Sequence, residues 1–205
     1  MDAALRAGIA LHNAGEHHAA HDPWETVWLD LETGTDDERL LHGLIQFVGA
    51  IHHATTRNWS GATGLAASAH DYLAGLDPSY HGVDVDAARR ALATLSADPE
   101  VIDRRRPPPL RHEGRVLGLG DLDFEAIAAA APALSAEYGY DETAVDSAVA
   151  YAREEVADGE RTLFTGMLFE FVTAEEPQRA LVARRLGRHV DRRDREYDDV
   201  AGLFD

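Results

Sequence analysis

Thr35-Asp36-Asp37-Glu38-Arg39-Leu40-Leu41-His42-Gly43-Leu44-Ile45-Gln46-Phe47-Val48-Gly49-Ala50-Ile51-His52-His53-Ala54 is the stretch that decides the fold. Thr35 followed three residues later by Glu38 is the spacing of a capping box, and the acidic first turn suits the positive end of a helix. Apolar residues then recur through Leu44 and Phe47 at helical spacing, which predicts a long helix to Arg57, stopped at Asn58.

The same reading extends outward in both directions. Residues 3–13 form an amphipathic helix ended by Gly15, and a second helix is expected from about Glu16 to Leu31. Asp22-Pro23-Trp24-Glu25 within it reads as an N-cap, a proline at N1 and an N3 glutamate, so this helix restarts at Asp22 or kinks there. Beyond Asn58, Ser60 can cap a helix whose apolar positions run from Ala62 to Leu76. Asp77-Pro78 ends that helix, and a shorter one follows Asp84. Asp103-Arg104-Arg105-Arg106-Pro107-Pro108-Pro109 reads as a stiff linker. Glu113-Gly114, between Leu110-Arg111-His112 and Arg115-Val116-Leu117, reads as the turn of a small β-hairpin. Helices resume after Asp123 (interrupted at Pro132), after Asp141 until Gly159, from about Glu160 to Thr173, and from Pro177 to Val200. The expected fold is all-α. An antiparallel helical bundle occupies residues 1–98, an Arg/Pro linker 99–109, and a helical C-terminal extension with one hairpin 110–205.

Composition limits the function classes. Apolar residues make up 45% of the 205 residues, enough for a core, yet no run of about 18 apolar residues suggests a membrane span. Neither a secretory signal nor a cysteine is present, so a reducing cytoplasm is the simplest location. Thirty-seven carboxylates face 19 arginines, with no lysine, for a net charge of −18. Such a field repels nucleic acid and anionic membranes in dilute solution, and reads as adaptation to concentrated salt.

Seven of the eleven histidines lie in the first 53 residues. On an unbroken helix His21, Glu25 and Trp28 share one stripe. His42, Gln46 and His53 share another on the long helix, with His52 to one side. Facing helices converge such groups into carboxylate–histidine sites for divalent metals, and three protein ligands with an open position would let the ion activate water. The same groups could equally form a buried hydrogen-bond network that fixes helix register, with the tryptophans as core anchors.

Ala14-Gly15-Glu16, then HDPWETVW from His21 to Trp28, then GLIQFVGAIHHATTRNWSGA from Gly43 to Ala62, resemble the family known as domain of unknown function 309. The resemblance covers roughly residues 3–95. It implies an all-helical fold and the family's provisional label of metal-dependent hydrolase. The matching positions are His21, Asp22, Glu25, Trp28, Gln46, one of His52 or His53, Asn58 and Gly61. Asp22 stands where the family usually has glutamate, and Pro23 is a departure. The resemblance together with the stripes gives His21, Glu25 and His53 as metal ligands, and Glu25 and Gln46 as catalytic groups. Asp22, Trp28, His52 and Asn58 are expected around the same pocket.

Seven arginines between Arg179 and Arg195 are the one basic concentration. Val182, Leu186, Val190 and Tyr197 define the apolar face of that helix, opposite Arg185, Arg188, Arg192 and Arg195. This face reads either as a solvated surface or as one that binds phosphate, nucleic acid or a partner. Three functions follow as expectations: a metal-dependent hydrolase acting on a small molecule, a non-enzymatic helical interaction protein, and nucleic-acid association.

Overall fold

The structure, a computed structural model, describes residues 1–157, 159 and 163–201. The expected helix start at Glu160 lies outside the described residues. The chain forms two compact units, Met1–Ala130 and Ala131–Asp205. Helix dominates both, as the periodicity predicts, and among the described residues no helix is long and apolar enough to cross a membrane.

In the first unit, α1 (Asp2–Ala14) ends at Gly15, whose φ of 94° suits a residue without Cβ. α2 (Asp22–Trp28) is shorter than the sequence suggests. Pro23 has no N–H, so the helix begins anew, with residues 17–20 in turns before it and His21 at its N-cap. Asp22 is thus not the cap. Its carboxylate faces the His21 imidazole instead. α1 and α2 meet through Trp24, which is fully buried and donates Nε1–H to the Leu5 carbonyl at 3.2 Å. Gly8 makes this crossing possible, because a Cβ there would lie 2.2 Å from the indole.

α3 (Asp36–Thr55) is the spine of the unit. Thr35 caps it by accepting from Glu38 N at 3.3 Å, but Glu38 does not complete the reciprocal box, because its carboxylate is engaged elsewhere. α4 (Trp59–Leu73) packs along α3, with Leu73 so close to Gly43 that a Cβ would approach it to 2.7 Å. The cap of α4 is Asn58 rather than Ser60, accepting from Gly61 N at 3.1 Å. α5 (Val85–Ala97) is capped by Asp84, and one further turn, α6 (Val101–Arg104), occupies the start of the expected linker. Residues 107–117 then run back along α1. Asn13 donates to the carbonyls of Leu110 and Leu117 and accepts from Leu110 N.

The expected hairpin is present as β3 (Arg111–His112) and β4 (Arg115–Val116), but it is half of a four-stranded antiparallel sheet. β1 (Ser79–Tyr80) and β2 (Val83–Asp84) complete the order β1-β2-β3-β4, with Val83 opposite His112. Both hairpins turn on two residues of positive φ, His81-Gly82 and Glu113-Gly114, which matches the right-handed twist of paired strands.

The helical assignment of α7 (Phe124–Tyr138) continues through Pro132, where a break was expected. Eight helical residues precede the proline, which forfeits the backbone bond its missing N–H would have made. Within the second unit α8 (Glu142–Ala157), α9 (Leu163–Thr173) and α10 (Gln178–Ala201) pack on one another. Ala144, Val145, Ala148, Phe164, Leu168 and Phe171 supply buried surface. Val182, Leu186 and Val190 form the buried stripe of α10, whereas Tyr197, expected on that stripe, is 47% exposed.

Candidate functional site

The break at Pro23 fixes the geometry around His21. Its Nδ1–H donates to the His18 carbonyl in the preceding turn, which leaves Nε2 as the ring's lone pair in the neutral form. That nitrogen faces Asp22 Oδ1 at 2.9 Å and Glu25 Oε2 at 3.9 Å. One donor atom from each of these three residues lies within 4.8 Å of the others. The Asp22 carboxylate holds the His21 pKa above the usual histidine value, against the opposing effect of burial.

Beside this trio, α3 and the turn before α2 enclose a cleft of about 400 Å3. Its polar lining is His17, His18, His21, Gln46, His52 and His53, with Ile45 and Leu65 among the apolar walls. His21, Gln46, His52 and His53 of the expected set therefore meet in one cleft. Glu25 is at its edge through His21, and Trp28 stands outside it.

The protonation of the lining is set by its neighbours. Asn58 Oδ1 accepts from Gly61 N at 3.1 Å, so its amide nitrogen points to His53 Nδ1, 2.9 Å away. His53 Nδ1 is thereby an acceptor, and the neutral ring carries its proton on Nε2. A Cβ at Gly61 would sit 2.7 Å from Asn58 Nδ2 and 3.0 Å from the His53 ring, so only glycine leaves this arrangement intact. His53 is thus built as a donor, whereas a metal ligand needs a lone pair. Asp22 takes its place in the converging trio.

A parallel chain orders His17. Buried His12 donates Nε2–H to the Pro108 carbonyl at 3.0 Å, and burial lowers its pKa to about 4. The remaining His12 Nδ1 accepts from His17 Nδ1 at 3.1 Å, which leaves Nε2 of neutral His17 unprotonated. Burial, and then the neighbouring His52, lower the His17 pKa.

Trp28 belongs to a ladder along α3. Glu38 Oε1 accepts from Trp28 Nε1 at 3.0 Å and from His42 Nδ1 at 3.2 Å, while Oε2 accepts from Gly34 N at 3.3 Å. These donors, Trp28 foremost, hold the Glu38 pKa below the usual glutamate value. The His42 ring lies between Trp28 and Tyr72, with ring centres 4.7 and 3.9 Å away. Its Nε2 accepts from Gln46 Nε2 at 2.9 Å, leaving Gln46 Oε1 buried without a partner among the described residues. The ladder thus delivers one unsatisfied acceptor to a residue that lines the cleft.

Glu38, His17 and His18 were not foreseen from sequence. Glu38 sits where a capping glutamate belongs, and a turn without periodicity carries the two histidines. Only the crowding of histidines before residue 54 pointed to them.

Every residue that lines the cleft falls between positions 17 and 65. Residues 5–65 match the family described as Domain of unknown function (DUF309). The DUF309 segment begins within α1 and ends within α4, and it holds the converging trio, the ladder from Trp28 to Gln46 and the Asn58–Gly61 turn. The resemblance read over residues 3–95 is thereby matched over residues 5–65. None of the curated proteins matches the chain.

Proposed function

We propose that the DUF309 segment binds a divalent metal ion through His21, Asp22 and Glu25, and acts as a metal-dependent hydrolase on a small molecule held in the histidine cleft. One observation carries this reading. His21 Nε2 faces two carboxylate oxygens, an arrangement that a proton or a divalent cation between them stabilises. Ligands bound at about 2.1 Å sit about 3.0 Å apart at octahedral and about 3.4 Å apart at tetrahedral angles, so small adjustments of this trio suffice. One imidazole and two carboxylates suit Zn, Mn or Fe(II) better than softer ions. The His18 carbonyl orients the ring from its far side, as ligating histidines are usually oriented.

A bound ion with an open position supplies a water acidic enough to attack near neutral pH. The chain's own groups supply the rest. His53 offers Nε2–H to a substrate oxygen, and Gln46 lines the cleft beside it. Ile45 and Leu65 exclude solvent from part of the cleft. Protein purified without a nickel column should retain one ion per chain, or take one up from Zn or Mn on titration. His21→Ala and Asp22→Asn should abolish that binding, whereas His53→Ala should not. Absence of saturable uptake, or uptake unchanged in His21→Ala, would overturn the reading.

A second reading is favoured for the ladder itself. With Glu38 accepting three hydrogen bonds and His42 packed against the tilted rings of Trp28 and Tyr72, Trp28–Glu38–His42 serves to lock α2 against α3 rather than to react. Its test is stability rather than turnover.

A further inference from the structure

The second unit holds a concavity of about 900 Å3 between α10 and the Tyr140-Asp141 turn. That size lies within the range of small-ligand sites. Arg184 and Arg188, one turn apart on α10, line it. Neither is paired with a carboxylate among the described residues, whereas neighbouring Arg185 is held by Glu170 at 3.7 Å. In a chain with 37 acidic side chains against 19 arginines, two guanidinium forks without carboxylate partners thus share one hollow. The pKa of adjacent His189 is lowered by burial and then by Arg192, Arg185 and Arg188, a local positive field within an acidic molecule.

Gly187 is the second, independent observation. It lines the hollow between the two arginines, in the interior of α10, where every residue but proline is better tolerated than glycine. Packing does not demand it. A Cβ at 187 would meet only the Ala144 methyl, at an ordinary 3.9 Å. The missing side chain instead lets a ligand approach the helix surface between the two guanidinium groups.

The remaining walls define the rest of the ligand. Leu181, 46% exposed, and Tyr140 offer apolar surface, and Asp141 and Asp191 offer acceptors for hydroxyl or amino groups. These aspartates interrupt the basic surface, and the net charge of −18 opposes a long polyanion, so a nucleic-acid strand fits poorly. We propose that this hollow binds a small phosphorylated molecule, its phosphate gripped by Arg184 and Arg188 over Gly187 and its hydroxyl- or amino-bearing body lying against Leu181 and Asp191.

The test is calorimetric titration of the full chain, treated with a chelator, with adenosine monophosphate, inorganic phosphate, adenosine and a short single-stranded oligodeoxynucleotide. Adenosine monophosphate should saturate one site per chain, with inorganic phosphate weaker and adenosine silent. Arg184→Gln and Arg188→Gln should each weaken binding about tenfold or more, as loss of a charge-assisted fork does. Gly187→Ala should weaken binding while leaving the melting temperature equal or higher, a combination that a purely structural glycine would not produce. His21→Ala should leave binding unchanged, which separates this hollow from the histidine cleft. The proposal is overturned if neither phosphate probe saturates, or if binding is indifferent to both arginine changes. Tighter binding of the oligodeoxynucleotide than of the monophosphate would also overturn it, and would assign the face to nucleic acid.

Discussion

Replacing Gly8 by alanine tests the crossing that positions the candidate metal centre. In an unconstrained helix the change stabilises by about 1 kcal/mol. Here the new methyl would lie 2.2 Å from Trp24 Cε2, 2.4 Å from Nε1 and 2.7 Å from the Ala20 carbonyl oxygen. Carbon contacts settle near 3.5 Å or more, so the indole must retreat by roughly 1.3 Å. Trp24 is fully buried and bonded to Leu5, so it has nowhere to go without cost. Overpacking costs about 1–3 kcal/mol and the strained hydrogen bond about 1 kcal/mol more. Set against the helical gain, the net destabilisation is roughly 1–3 kcal/mol. Gly64, exposed on α4 with nothing within 4 Å of its would-be Cβ, is the internal control. Denaturant titration at fixed salt should show Gly64→Ala more stable than the parent and Gly8→Ala less stable, with tryptophan emission altered in the latter. Equal stabilisation of both variants would refute the account of the α1–α2 crossing, and with it the placement of the His21 turn.

Four further outcomes are expected. Because Asp22 raises the His21 pKa, the stabilisation it gives the metal-free protein is complete below the unfolded histidine value and is lost as pH rises through the folded one. Metal needs the unprotonated nitrogen, so the melting-temperature gain from added Zn should grow over the same rise, and a gain independent of pH would contradict the ligand role of His21. Glu38→Gln turns an acceptor of three hydrogen bonds into a partial donor and should destabilise by about 1–3 kcal/mol in denaturant titration. Since the parent carboxyl is depressed, this advantage should hold above the unfolded glutamate pKa and fade as pH falls through the folded one. A fragment of residues 1–98 should stay helical by circular dichroism but melt below a fragment of residues 1–130, because Asn13 loses its partners at Leu110 and Leu117. Thermal melts should rise with salt beyond about 1 M, where screening is nearly complete; a flat profile would remove the salt-adapted reading of the composition.

Local chemistry made much of the fold legible in advance. Thr35, Gly15 and Asp84 announce helix ends through short-range hydrogen bonding and backbone freedom. The Glu113-Gly114 turn likewise declares itself. The His81-Gly82 turn uses the same backbone, yet two-residue strands give no alternation to notice. Pro132 misled because a proline's local penalty says nothing of the packing around it. At the site, spacing suggested that His21 and Gln46 belong together, but it treated every imidazole as an equivalent ligand. What separates His53 from His21 is the atom that meets each Nδ1, an amide N–H in one case and a carbonyl in the other. Turns, not periodic segments, create that difference.

The hydrogen bond from Gly61 N to Asn58 has a consequence that reaches beyond its own turn. It fixes the amide's orientation, and so decides which face of a ring on another helix gives and which takes. An aspartate at 58 would occupy nearly the same space and still accept from that peptide nitrogen, but it would receive a proton from His53 Nδ1 instead of offering one. The far nitrogen would then turn from giver to taker. By a change of a single heavy atom, a cleft that hands a proton to its guest would become one with a further lone pair to bind a metal.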